Sequence, residues 1–152
     1  MNTQTVQQIK TQILKNYFLV NEFTLFGSLA SMKNSRQGHF LSKGATQYKT
    51  VATRQINRIE FNQRYDNCFF VFEMYYFRTT SDTSIELLFD LFQDLGLVEN
   101  DVNIRDYLIF SSIDKITPRI TVSIYMENKN VNNEVIINKS PAKSPSKDRQ
   151  IR

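Results

Sequence analysis

Residues 67–77 read NCFFVFEMYYF, and the placement of this run decides the fold. Bulky apolar side chains fill both alternating sets of positions, so neither face can be left to water. A strand of this kind belongs in the middle of a sheet with cover on both sides. Glu73 is the exception, and reads as an edge contact rather than as part of a site. Cys68 reads as a small buried hydrophobe, because no sequence neighbour obviously lowers its thiol pKa.

Working outward, the patterns alternate between helix and strand. In residues 3–20 the apolar positions Val6, Ile9, Ile13, Leu14, Tyr17 and Phe18 recur at helical spacing, which predicts one helix. EFTLFGSL, residues 22–29, reads as a short strand that ends at Gly27. ASMKNSRQGHFLSKGATQ, from Ala30, is polar, with two glycines and three cations, and predicts a long loop. TQYKTVATRQINRIEF predicts a second helix with Tyr48, Val51, Ile56 and Ile59 inward and Lys49, Arg54 and Arg58 outward. After the central run, Thr83 and Glu86 have capping-box spacing and predict a third helix from about Ser84. Ile85, Leu88, Leu91, Phe92 and Leu95 form its inner face, and Gly96 stops it. RDYLIFSSI and RITVSIYME then alternate as two strands, with DKITP as the turn between them. In the second strand Ile120, Val122, Ile124 and Met126 share one face, while Thr121 and Ser123 point away. The order α-β-α-β-α-β-β predicts a single α/β or α+β domain, a mixed sheet of about four strands packed with helices.

Composition narrows the function classes. The chain has 152 residues, 41% of them hydrophobic, enough for one core and one domain. One cysteine leaves no intramolecular disulfide, and one histidine, His39, leaves no multi-histidine zinc site. No segment is long and apolar enough to span a membrane, and MNTQTVQQIK has no signal-peptide core. A cytoplasmic protein with no membrane partner is the expectation. The net charge is +4. The terminal KSPAKSPSKDRQIR holds Lys139, Lys143, Lys147, Arg149 and Arg152 against Asp148, five minus one, and so carries the whole excess. The tail from about Asn128 is rich in Asn, Lys, Ser and Pro and is expected to be disordered. A neutral domain with a basic arm binds polyanions when its own charges are segregated.

The acidic residues concentrate in SDTSIELLFDLFQDLGLVEND, residues 81–101. Glu86, Asp90 and Asp94 follow one another at i, i+4 and i+8, and the plain reading of that stripe is a solvated helix face. Asp82 before the helix and Asp101 after it flank a connection that can fold back, so both loops can border one cleft. Carboxylates in such a cleft suit a hard divalent cation such as Mg²⁺.

Four pieces, in order, resemble the RusA family of Holliday-junction resolvases. FTLFGSLASMKNSRQ is similar to the family's opening strand and its G-x-x-x-S-K-K-N-S loop. SKGATQYKTVATRQI is similar to the S-x-x-Y-K helix start, and SDTSIELLFDLFQDLGLVENDVNI to the D-x-D-N…K…D-x-L…G…D-D segment. The last piece is a closing hairpin ending RITVSIYME. The resemblance covers roughly residues 22–127. It implies a dimeric nuclease that binds four-way DNA junctions and nicks them symmetrically with Mg²⁺ or Mn²⁺, in DNA recombination and repair. Its domains would be a helical extension over 1–20, a nuclease domain over 21–128 and a basic tail over 129–152.

The same resemblance implies the site. Asp101 matches the downstream metal-binding aspartate, with Asn100 where an acidic neighbour is usual. Asp82 matches one of the upstream pair: without a gap it takes the second place and Thr80 the first, and with a two-residue gap, the preferred alignment, it takes the first and Ser84 the second. Ile85 replaces the usual Asn, and Glu86 stands where relatives carry a lysine or glutamate. Asp82, Asp101 and Glu86 are thus the catalytic candidates, joined by Asp90 as metal ligands. Lys33, Asn34, Arg36, Lys43, Lys49 and Arg54 are the DNA-binding candidates. A nucleoid-associated homodimer, phage- or prophage-encoded, fits this reading. The alternative is a junction-binding relative weakened in cleavage, since the catalytic lysine has no counterpart. A protein-interaction module, with the acidic stripe purely solvating, is the third reading.

Overall fold

The computed structural model describes residues 3–29, 36–37, 40–77 and 85–129. Residues 69–76 of the apolar run form strand β4 (Phe69–Tyr76), which lies inside a four-stranded sheet. The other strands are β1 (Tyr17–Phe26), β5 (Asp106–Ile113) and β6 (Arg119–Glu127). β4 pairs antiparallel with β6 on one side and parallel with β5 on the other. β6 also pairs antiparallel with β1. The expected turn between β5 and β6 is therefore not a hairpin, because β4 lies between them. Alternation fixed the faces of both strands and said nothing about their neighbours. The connection is held by Asp114, whose carboxylate accepts from the N–H groups of Ile116 and Thr117 and pairs with Arg119 at 2.6 Å.

Both faces of β4 are covered, as its composition demands. Phe70, Phe72 and Met74 face helices α2 (Lys43–Ile56) and α3 (Ile85–Asp94), within a core that also takes Leu25, Ile120, Val122 and Ile124. Val71 faces the other way, where it meets Leu14 and Phe110 under helix α1 (Thr3–Ile13), with Val6 and Ile9 of that helix packed against them. The result is a three-layer α+β domain with a mixed sheet. A short ladder, β2 (Arg36–Gln37) with β3 (Phe40–Leu41), lies within the segment expected to be all loop.

The first helix is shorter than its apolar spacing suggests. It stops at Ile13, and Tyr17–Val20 belong to β1 instead. Tyr17 and Phe18 are aromatic, favour an extended backbone, and gain a partner strand in β6, opposite Glu127 and Met126. Glu73 sits mid-sheet on the α1 side rather than at an edge, where it forms an ion pair with Lys10 and accepts from the Tyr75 hydroxyl. That pair explains how a strand buried on both faces tolerates a carboxylate: the helix above supplies the counter-charge.

In α2 the inward residues are Ala45, Tyr48, Ala52 and Ile56, while Val51 is exposed. Small alanines let the helix lie close to the sheet, and hydropathy alone had favoured the valine one position away. Ser42 caps the helix, its hydroxyl accepting from the N–H of Ala45. In α3 the apolar face comprises Leu87, Leu88, Leu91 and Phe92, with Ile85 and Leu95 packed beside them. Gly96 terminates this helix with φ of +75°. Its N–H donates to Gln93, and that of Leu97 reaches back to Phe92 at 2.9 Å, the Schellman pattern.

Candidate functional site

Asp101 is the best anchored of the acidic candidates. It opens a 3₁₀ turn (Asp101–Asn103) capped by Asn100, whose side chain accepts from the N–H of Val102. Its own N–H donates to Oε1 of Gln93 on the last turn of α3, at 2.9 Å. Asp66, just before β4, ties the same segment to the sheet. Its Oδ1 accepts from the N–H of Glu99 and from the amide of Asn103, each at 2.8 Å. These two bonds, with the Arg64 guanidinium beside them, hold the Asp66 carboxyl below the usual aspartate range. Tyr65 adds a backbone bond to the carbonyl of Leu97 at 2.7 Å. The sequence reading missed Asp66, because its partners lie 33 and 37 positions away and leave no local pattern.

The other carboxylates do not gather round Asp101. Glu86 is exposed in the first turn of α3, and Asp90 is half-buried one turn later. Asp94 is committed to Lys49 of α2 at 2.5 Å. Asp82 lies outside the described residues. Topology bears on the expected cleft: β4 and β5 run parallel, with Phe69 beside Asp106 and Tyr76 beside Ile113. The loop leaving β4 and the loop entering β5 therefore start from opposite ends of a pair about 23 Å long. Among the described residues, no three of His, Cys, Asp and Glu come close enough to hold a metal ion. The described carboxylates alone thus do not fit a Mg²⁺ or Mn²⁺ centre.

The basic candidates are divided too. Lys33 and Asn34 lie outside the described residues, and of Arg36 only the backbone in β2 is placed. Lys43 and Arg54 are exposed on α2. Eleven residues apart, they come round to within about 20° of one another on a helix. Gln47 and Thr50 fall on the same stripe and are exposed, and Arg58, also exposed, follows just past the helix. Lys49 does not join them. It turns toward α3 and its charge is met by Asp94, so the expected basic face loses one cation.

Beside that stripe, Gly44, Gln47, Tyr48 and Val51 line an open cavity of about 310 Å³ with Phe26, Gly27 and Ser28 at the end of β1. Gly27 takes φ of +119°, which a side chain would strain, and its N–H donates to the carbonyl of Pro118 just before β6. The Tyr48 ring floors the cavity, but its hydroxyl is buried and has no partner among the described residues. Burial pushes that phenol well above its ordinary pKa, so it stays protonated. Cys68 is likewise buried, and burial first, then the nearby Asp66 charge, raises its thiol pKa. Neither group is poised as a nucleophile or base.

No helix among the described residues is long and apolar enough to cross a membrane. No protein-family model matches the chain, and no curated protein matches it in sequence.

Proposed function

We propose that the chain is a RusA-like protein that binds four-way DNA junctions and is weakened as a nuclease. The observation that carries this reading is the exposed stripe Lys43–Gln47–Thr50–Arg54, extended by Arg58, on the outer side of α2. Cations and hydrogen-bonding side chains at helical spacing suit consecutive phosphates, and such contacts position DNA without reading its bases. Lys33, Asn34 and Arg36, which precede α2 in sequence, are further candidates for the same role. What supports weakened cutting is that, among the described residues, Glu86, Asp90 and Asp101 form no cluster, and that the family's lysine has no counterpart.

A second reading keeps the endonuclease active with Mg²⁺ or Mn²⁺, and the fixed position of Asp101 favours it. A backbone held by Gln93 and Asp66 is the kind of support that a ligand carboxylate needs. That reading requires Asp82 to reach Asp101.

One experiment separates them. Binding to a synthetic four-way junction and to a linear duplex is titrated for the parent and for Lys43→Glu/Arg54→Glu, and nicking is followed with and without Mg²⁺ or Mn²⁺. The expectation is preferential junction binding, weakened at least tenfold by the double substitution, with little or no nicking. Metal-dependent paired nicks abolished by Asp101→Asn establish the second reading. Equal affinity of parent and double variant for the junction removes the first.

A further inference from the structure

Nothing in the fold requires Gly44 to be a glycine. It lies in the first turn of α2, its φ is not positive, and a Cβ built on it meets nothing within 4 Å. Any other residue except proline has the higher helix propensity. What the missing side chain preserves is room in the cavity of about 310 Å³ that Gly44 lines with the end of β1. Gly27 differs, because its positive φ favours glycine for the backbone's sake. The strand side of the cavity is fixed to the helix. The Gln55 side chain of α2 accepts from the N–H of Phe26 at 2.8 Å and donates to its carbonyl at 2.9 Å, which holds the gap between strand end and helix at a set width. Even so, Phe26 is 53% exposed and Val51, which lines the same cavity, 40%. Two anchored elements thus keep open a space walled by apolar groups that face water.

We propose that this cavity takes one unstacked nucleobase from the nucleic acid held on the α2 stripe, an inference that rests on the DNA reading for the polymer that brings the base. Size narrows the occupant: about 310 Å³ is at the small end of ligand pockets, with room for one ring system and not for a duplex. An exposed aromatic ring such as Phe26 is what the face of a base stacks on. Gln47 and Ser28 add an amide and a hydroxyl, each able to donate and to accept, which suits the mixed donor and acceptor edge of a base. Charge then sets the orientation. None of the described residues lining the cavity is charged. Gln47, however, stands within about 40° of both Lys43 and Arg54 round the helix, so the cations border the space without entering it. That is where the phosphates flanking an inserted base would run. An apolar peptide side chain would use the walls and leave the bordering charge unmatched. Bases within a duplex are paired and stacked, so the cavity favours strands with an unpaired position.

The test uses the full chain and two kinds of probe. Deoxyadenosine monophosphate is titrated to millimolar concentration against isotope-labelled protein, with deoxyribose 5-phosphate as the control. Amide shifts at Gly27, Ser28 and Val51 are expected with the nucleotide and not with the sugar phosphate. Gly44→Leu should abolish them with thermal stability equal to the parent's or above it, because the side chain meets no neighbour and α2 gains propensity. In the second arm, a duplex with one unpaired thymine should bind at least about fivefold tighter than the same duplex fully paired. Phe26→Ala should remove that preference and leave the affinity for paired duplex unchanged. Equal shifts from the sugar phosphate would mean an anion site only, and overturn the proposal. So would shifts that persist in Gly44→Leu, or a preference for the unpaired thymine that survives Phe26→Ala. The two readings fail separately. Nucleotide shifts in a chain that binds neither duplex would uphold the base pocket and remove the DNA reading of α2. Duplex binding with no nucleotide shifts and no preference for the unpaired thymine would keep the DNA reading and overturn the pocket.

Discussion

Asp66 shows how one side chain can place a whole loop segment. Its carboxylate stitches Glu99 and Asn103 to the base of β4, and Asp101 lies between those two anchors. Asp66→Ala leaves two donors with only water, and should cost about 1–2 kcal/mol at neutral pH in a urea titration. The pH dependence has a definite sign. The folded-state pKa of Asp66 is depressed, so its contribution is complete above the ordinary aspartate pKa and is lost as pH falls through the lower, folded value. The stability gap between parent and variant should therefore be flat from neutral pH down to the ordinary range and close only below it. A gap that widens on acidification contradicts this account. Asp114 is depressed for a similar reason, chiefly by the N–H of Thr117 and then by Arg119.

Elements were legible where side chains alone decide the outcome. β4 follows from an apolar run that fills both faces, β6 from its apolar alternation, and α3 from its inner face and its glycine stop. Gly96 makes the sharpest test at this scale. With φ of +75° and no atom within 4 Å of a built Cβ, its replacement meets backbone strain but no clash. Gly96→Ala should thus cost about 1–2 kcal/mol, measured by chemical denaturation, with the fold retained. A neutral result would mean that the helix end relaxes into another cap. What was not legible is long-range. Tyr17 and Phe18 fit the helical spacing of α1 as well as they fit a strand, and β6 decides between them. The β5–β6 turn looks like a hairpin locally, and only the insertion of β4 says otherwise. Ala45 and Ala52 carry too little hydropathy to announce that they are the buried side of α2.

At the scale of the whole molecule, charge is segregated along the chain rather than spread over it. Residues 1–138 are neutral by count, and residues 139–152 hold a net +4. Lys139, Lys143 and Lys147, which lie outside the described residues, recur every four residues with a proline in each interval. Cations at that spacing can each meet a phosphate. Each phosphate neutralised on duplex DNA adds about 0.9 to the slope of log affinity against log salt. Deleting residues 139–152 should therefore weaken DNA binding at low salt and reduce that slope, by about 0.9 for each cation that was in contact. Junction preference should survive, because the α2 stripe that carries it in the present reading lies in the folded domain, and so should thermal stability. A binding titration of both proteins on junction and duplex across a salt series measures all of this. Identical slopes would place the arm away from DNA, and loss of junction preference would move recognition from α2 to the tail.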